Sequence, residues 1–232
     1  MRSPIVAGVL TAIAAAVMFG VATPVIAWAG RGVLATACLL YAGAAVVGGG
    51  ARVIRGGTMT LGKADLPRLA VIALCGAAIA PVLLVVGLQR TGALTASLLL
   101  NLEAVFTVLI AARRETIGAR VWIAVAAMAT GGAALSLDAA TRGTGGVIGA
   151  LAVAGATLAW AIDNNVTQPL SSRDPLDVVA AKASLGAALT GGFALILGDR
   201  WPDLTRVGVL LACGALAIGV SLALYILAQR RI

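Results

Sequence analysis

Eight stretches of this chain run for about the thickness of a lipid bilayer with one internal charge or none. They are Ser3–Gly30, Gly32–Ala51, Leu69–Gln89, Thr91–Ala112 (holding Glu103), Val121–Leu137, Gly143–Ile162, Val178–Gly198 (holding Lys182) and Val207–Gln229. A hydrocarbon core needs about 20 apolar residues in helical form. Lipid satisfies no open strand edge, and the runs lack the alternation of barrel strands, so helices must span. Of the 232 residues, 61% are apolar and 11% charged, with mean hydropathy +1.05. A water-soluble domain carries about a quarter charged residues. The fold class is therefore all-α integral membrane, a polytopic helix bundle.

The same residues exclude several functions. The net charge of +8 sits at the ends of apolar runs, where it orients helices, so no nucleic-acid partner is expected. There is no histidine, which removes the commonest metal ligand and general base; no metal and no cofactor are expected. Cys38, Cys75 and Cys213 lie inside apolar runs without paired spacing and read as packing residues. No Walker-type loop, HExxH or GxSxG is present, so neither an ATP site nor an enzyme is expected. The first run is 28 residues long, beyond a signal-peptide core of about 7–15, and reads as a helix that stays.

Positive charge sets the direction. With a cytoplasmic amino terminus, Arg2, Arg52, Arg55, Lys63, Arg68, Arg113, Arg114, Arg120, Arg173, Arg230 and Arg231 face inward. Arg31, Arg90, Arg142, Arg200 and Arg206 face outward. Eleven against five predicts a multi-pass protein of the plasma membrane with both ends inside.

Shifting the chain against itself by 141 residues superposes the apolar runs: the first on the sixth, the second on the seventh, the third on the eighth. Phe19 then falls on Trp160, and Thr23-Pro24 on Asn164-Asn165. Five helices is an odd number, so a second copy enters the bilayer from the other face, giving an inverted repeat with its site between the halves. Residues 1–138 form the first five-helix repeat and residues 143–232 an incomplete second one of three helices, about eight of ten in all. Ala93–Leu137 maps beyond Ile232. The expectation is a fragment of a protein about 50 residues longer. The alternative is a natural short form that completes its wall as a homo-oligomer.

The stretch Gly87–Thr107, GLQRTGALTASLLLNLEAVFT, resembles the third-to-fourth helix passage of the EamA-type drug/metabolite transporters, where a small-residue hinge leads into an Ala-Ser-rich helix. Glu115 stands where that family usually has a charge. Leu158-Ala159-Trp160-Ala161 with Asn164-Asn165 is similar to the helix that opens its second copy. The pattern departs at Ala104, where the family has Pro, at Lys182, where it commonly has Arg, and in lacking the last two helices. The resemblance implies a ten-helix exporter of small metabolites or drugs.

An ionisable group at bilayer depth costs about 2.5–3.5 kcal/mol on insertion scales and so marks a candidate site. Glu103 reads as a proton-exchanging carboxyl or as a protonated one hydrogen-bonded between helices. Asn101 points about 200° away from it and reads as a helix-packing residue or a site residue. Trp160, Asn164 and Gln168 share a face, with Asp163 adjacent. They read either as the inner rim of a substrate cavity or as ordinary interfacial polarity, with Trp160 in the aromatic belt. Lys182 either snorkels to the same interface or pairs with Asp163. Pro24 and Pro81 read as hinges or as tolerated kinks. The expected function is a secondary transporter, an exporter moving a small-molecule solute through the lipid bilayer by alternating access, driven either by a proton gradient, with Glu103 taking up the proton, or by the solute's own gradient. The alternatives are a membrane-embedded assembly subunit and a channel-like bundle.

Overall fold

A computed structural model of the chain describes residues 4–56, 60–141 and 143–230. Arg2, Arg142 and Arg231 of the charge count, Gly57 of the second connection and Ile232 lie outside the described residues. Eight helices among the described residues are long and apolar enough to cross a membrane: α1 (Ile5–Ala29), α2 (Val33–Arg55), α3 (Lys63–Thr91), α4 (Ala93–Ala111), α5 (Ala119–Asp138), α6 (Thr144–Ser172), α7 (Pro175–Ile196) and α8 (Leu204–Gln229). The chain is an all-α polytopic membrane bundle.

Small residues let these helices pack. Gly48 of α2 sits against Ala180 of α7, where an added Cβ would come within 2.6 Å of the Ala180 nitrogen. Farther along, Cys38 Sγ fills the space beside Gly191, so α2 and α7 run antiparallel in contact. Gly87 of α3 receives Val153 of α6, and Gly149 receives Thr91. Helix α4 packs on α6, α5 lies outside both, and α1 docks on the end of α8, where Ser221 Oγ donates to Ala15 O at 2.9 Å. Without a hydrophobic drive between helices in lipid, close approach supplies the contact energy, which is why Gly and Ala are abundant.

The helix ends gather at two faces. At the amino-terminal face, Asp177 accepts from Arg52 Nη1 at 2.6 Å and from Thr60 N and Oγ1 at 2.7 and 2.8 Å. Arg173 pairs with Asp65 at 3.1 Å, and Asp174 N donates to Thr60 Oγ1 at 2.9 Å. At the distal face, Asp199 caps α2 by accepting from Leu34 N at 2.7 Å and Ala35 N at 3.0 Å. Gly32 N donates to Arg200 O at 2.9 Å and Gln89 Nε2 to Arg31 O at 3.0 Å. Helices α3 and α4 are joined there by Gly92 alone, at φ +81°, a left-handed value that favours glycine.

Four helices are interrupted. Helix α1 breaks at Val21, one turn before Pro24 lacks the donor that would reach Gly20. Helix α4 breaks at Leu100-Asn101. Helices α3 and α8 each contain a π-helical segment, Ala73–Ile79 and Gly214–Val220, whose first residues are 141 positions apart. Phe19 and Trp160, also 141 positions apart, stack edge to face at 5.5 Å between ring centres.

Candidate functional site

The π turn in α3 prepares the site. A π segment leaves a backbone carbonyl free of its usual helical partner, and such segments recur at functional positions. The Gly76 carbonyl accepts two side-chain donors here: Trp160 Nε1 of α6 at 3.0 Å and the Tyr41 hydroxyl of α2. Gly76 has no Cβ because its α-carbon faces the Asp163 carboxyl, with which any Cβ would collide. Three helices thus converge on one glycine.

Asp163 lies beneath that glycine, 2% exposed. Its Oδ2 accepts from Lys182 Nζ of α7 at 2.5 Å, and its Oδ1 from Thr167 Oγ1 at 3.4 Å. Lys182 is also 2% exposed. Of its three ammonium donors, one is engaged among the described residues. On the adjoining side of α6, Asn164 Nδ2 donates to Glu103 Oε1 of α4 at 2.6 Å. Asn165 Nδ2 donates to Ala161 O at 2.9 Å and reaches Thr107 O at 3.3 Å. A charged pair and a carboxyl–amide pair therefore flank one helix within the apolar span.

Between this layer and the distal face, Phe19, Thr23, Ile26, Pro81 and Trp160 surround a cavity of only about 10 Å3. That volume holds one water at most.

These positions show where each residue singled out by sequence lies. Of the two readings of Lys182, the pair with Asp163 is formed. It sits seven residues beyond Pro175, because α7 starts earlier than the uncharged run, with Asp174 accepting from Leu176 N at 2.9 Å. The belt reading of Trp160 is wrong: its ring is buried and its N–H engaged inside the bundle. The exposed Trp28, Trp122 and Trp201 lie near helix ends instead. Gln168 does not join the cluster. It opens a 3-10 turn, Gln168–Ser172, that rotates it to an exposed position despite its i+4 spacing from Asn164. Pro169 lies within that turn, after the α-helical part of α6 closes at Thr167. Asn101 is exposed and its Nδ2 bonds Leu98 O of its own helix at 2.9 Å, so it neither glues helices nor reaches the cluster. Pro24 is exposed and Pro81 buried, each beside an interruption.

Sequence passed over Tyr41, and Gly76 read there as no more than a packing residue. Gly76 is one of 29 glycines and nothing local sets it apart. Tyr41 had a signal: a hydroxyl in an apolar run, on the residue that the 141-residue shift places over Lys182.

Residues 6–137, more than half of the chain and spanning α1 to α5, match the EamA-like transporter family. The chain belongs to that family. It is a multi-pass membrane transporter, bounded by lipid and handling a small solute, in a family of transporters and not of enzymes. A protein known by its crystal structure superposes with a TM-score of 0.74 at 20% identity, over 97% of this chain and 80% of its own. That likeness shows the fold. No curated protein matches the sequence.

Proposed function

We propose that this EamA-family protein is a secondary carrier that exports a small metabolite or drug-like solute across the plasma membrane by alternating access, with protons exchanged at Glu103 or Asp163. The buried Asp163–Lys182 pair beside Glu103–Asn164 carries the reading. Charged groups inside a bilayer are expensive to keep, and a wholly structural bundle would be cheaper without them. The amino-terminal face is the cytoplasmic one in this reading, since Arg52, Lys63, Arg68, Arg113, Arg114 and Arg173 lie on it.

Residues 1–138 and 143–232 are read as two inverted copies. The π segments in register, and the stacking of Phe19 on Trp160, support that reading: a residue that touches its own counterpart lies on the pseudo-two-fold axis. The interruptions beside Pro24 and Pro81 are the hinge candidates. The test is flux in proteoliposomes with amino acids, nucleosides and toxic cations as solutes. Saturable uptake that shows counterflow supports a carrier, whereas unsaturable conductance would indicate a channel. Glu103→Gln is expected to keep counterflow and to lower proton-driven accumulation at least tenfold. Equal loss of both would remove Glu103 from coupling.

A further inference from the structure

The tightest helix contact in the distal half and the open groove in the other half are built from register-matched residues. Between α2 and α8, Gly43 lies on the Leu211 carbonyl and Gly214 on the Leu40 carbonyl, so close that a Cβ at either glycine would collide with backbone. The 141-residue shift places Leu40 on Ala181, Gly43 on Ser184, Leu211 on Ala70 and Gly214 on Ala73. Ala70, Ala181 and Ser184 all line a groove of about 760 Å3 between α3 and α7, together with Lys63, Leu66 and Leu185. Ala73 is buried one turn beyond Ala70. Four residues that zip one interface thus have three counterparts along the walls of an opening.

We propose that the α2–α8 and α3–α7 interfaces are the two alternating gates, and that Gly43 and Gly214, whose counterparts at the other gate are Ser184 and Ala73, hold the resting carrier closed distally with the α3–α7 groove open towards the amino-terminal face. The proposal rests on the inverted-repeat carrier reading. Inverted copies exchange conformations when access alternates, so each gate closes where its counterpart opens. Glycine α-carbons let carbonyls dock directly on them, a contact that packs well in lipid. At the other gate Gly186 docks on the Ala77 backbone beyond the groove, but nearer the amino-terminal face the hydroxymethyl of Ser184 and the methyl of Ala73 stand in the way of the approach that Gly43 and Gly214 make. Closing it gains less contact, and the balance falls towards the state described here. The narrow cavity above Trp160 agrees with distal closure.

The experiment exchanges the counterparts, Gly43→Ser with Ser184→Gly, in the full chain in lipid nanodiscs. Spin-label pairs on a cysteine-free background read each gate: Leu66→Cys with Leu185→Cys across the groove, Val46→Cys with Leu216→Cys across α2 and α8. The exchange is expected to shift the ratio of short to long groove distances by about threefold or more towards short. The α2–α8 distances should lengthen in parallel. Should Gly43→Ser impair folding, Ser184→Gly alone introduces no collision and should still narrow the groove. Unchanged groove distances in a folded Ser184→Gly protein, with counterflow intact, would overturn the gate assignment and leave the carrier reading standing. Absence of saturable flux in the unsubstituted protein would remove the carrier reading and the gates with it.

Discussion

At residue scale, the Asp163–Lys182 pair is a commitment that the fold must satisfy as a unit. Both groups are 2% exposed, and removing either leaves the other charge without a partner in a low-dielectric span. Lys182→Met is expected to cost about 3–5 kcal/mol, the scale seen when one member of a buried pair is lost. Asp163→Asn combined with Lys182→Met should recover most of that stability, because the neutral double variant buries no charge. Thermal unfolding in detergent of the singles and the double checks this; equal loss in all three would mean that the two side chains do not act together. Transport should fail in the double variant although it folds, which separates stability from function. Sequence showed Lys182 inside an apolar run, where a charge is conspicuous, and Asp163 immediately past the end of another. It could not choose between snorkelling and pairing, because that depends on how α6 and α7 rotate about their axes.

At the scale of elements, local rules and tertiary demands part company. Pro81 follows a π segment in α3, yet the matching π segment in α8 has Leu222 at the corresponding position. Proline is thus not what makes the π turn. The helices need the extra width where α2, α6 and α7 crowd around Gly76, and Pro81 is tolerated there because a donor is already misaligned. Helix ends obey simpler rules. Asp199, 165 positions along the chain from Leu34, supplies the α2 cap that Gly32 cannot offer with a side chain. Asp199→Ala is expected to lower stability by about 1 kcal/mol, the usual cost of a lost N-cap. Asp199→Asn should lose less, because the amide oxygen still accepts from the two N–H groups. Helix α6 shows the limit of periodicity: an i, i+4, i+8 pattern put Gln168 beside Trp160 and Asn164, but one 3-10 turn was enough to rotate it out.

For the whole molecule, the spans alternate between two faces, and the short connections leave little freedom in that order. The proposed orientation in the membrane rests on charge alone. A cysteine in place of Glu115 should react with an impermeant thiol reagent only in inside-out vesicles, and one in place of Arg200 only in intact cells. The reverse pattern would invert the cytoplasmic assignment and the direction of export with it. The same experiment applied to both ends of α1 and α6 tests whether these helices run in opposite senses, as the repeat requires.

Hydropathy by itself determined the number of helices and their order, because the cost of placing an open backbone or a run of charges in hydrocarbon exceeds any local preference. Only tertiary structure decided which polar groups meet. Rotation of a helix about its axis costs almost nothing until a neighbour is packed against it, so the faces of α2, α3, α6 and α7 were fixed by glycine contacts far apart in sequence. Those contacts put Tyr41 and Trp160 on one carbonyl and Lys182 on Asp163.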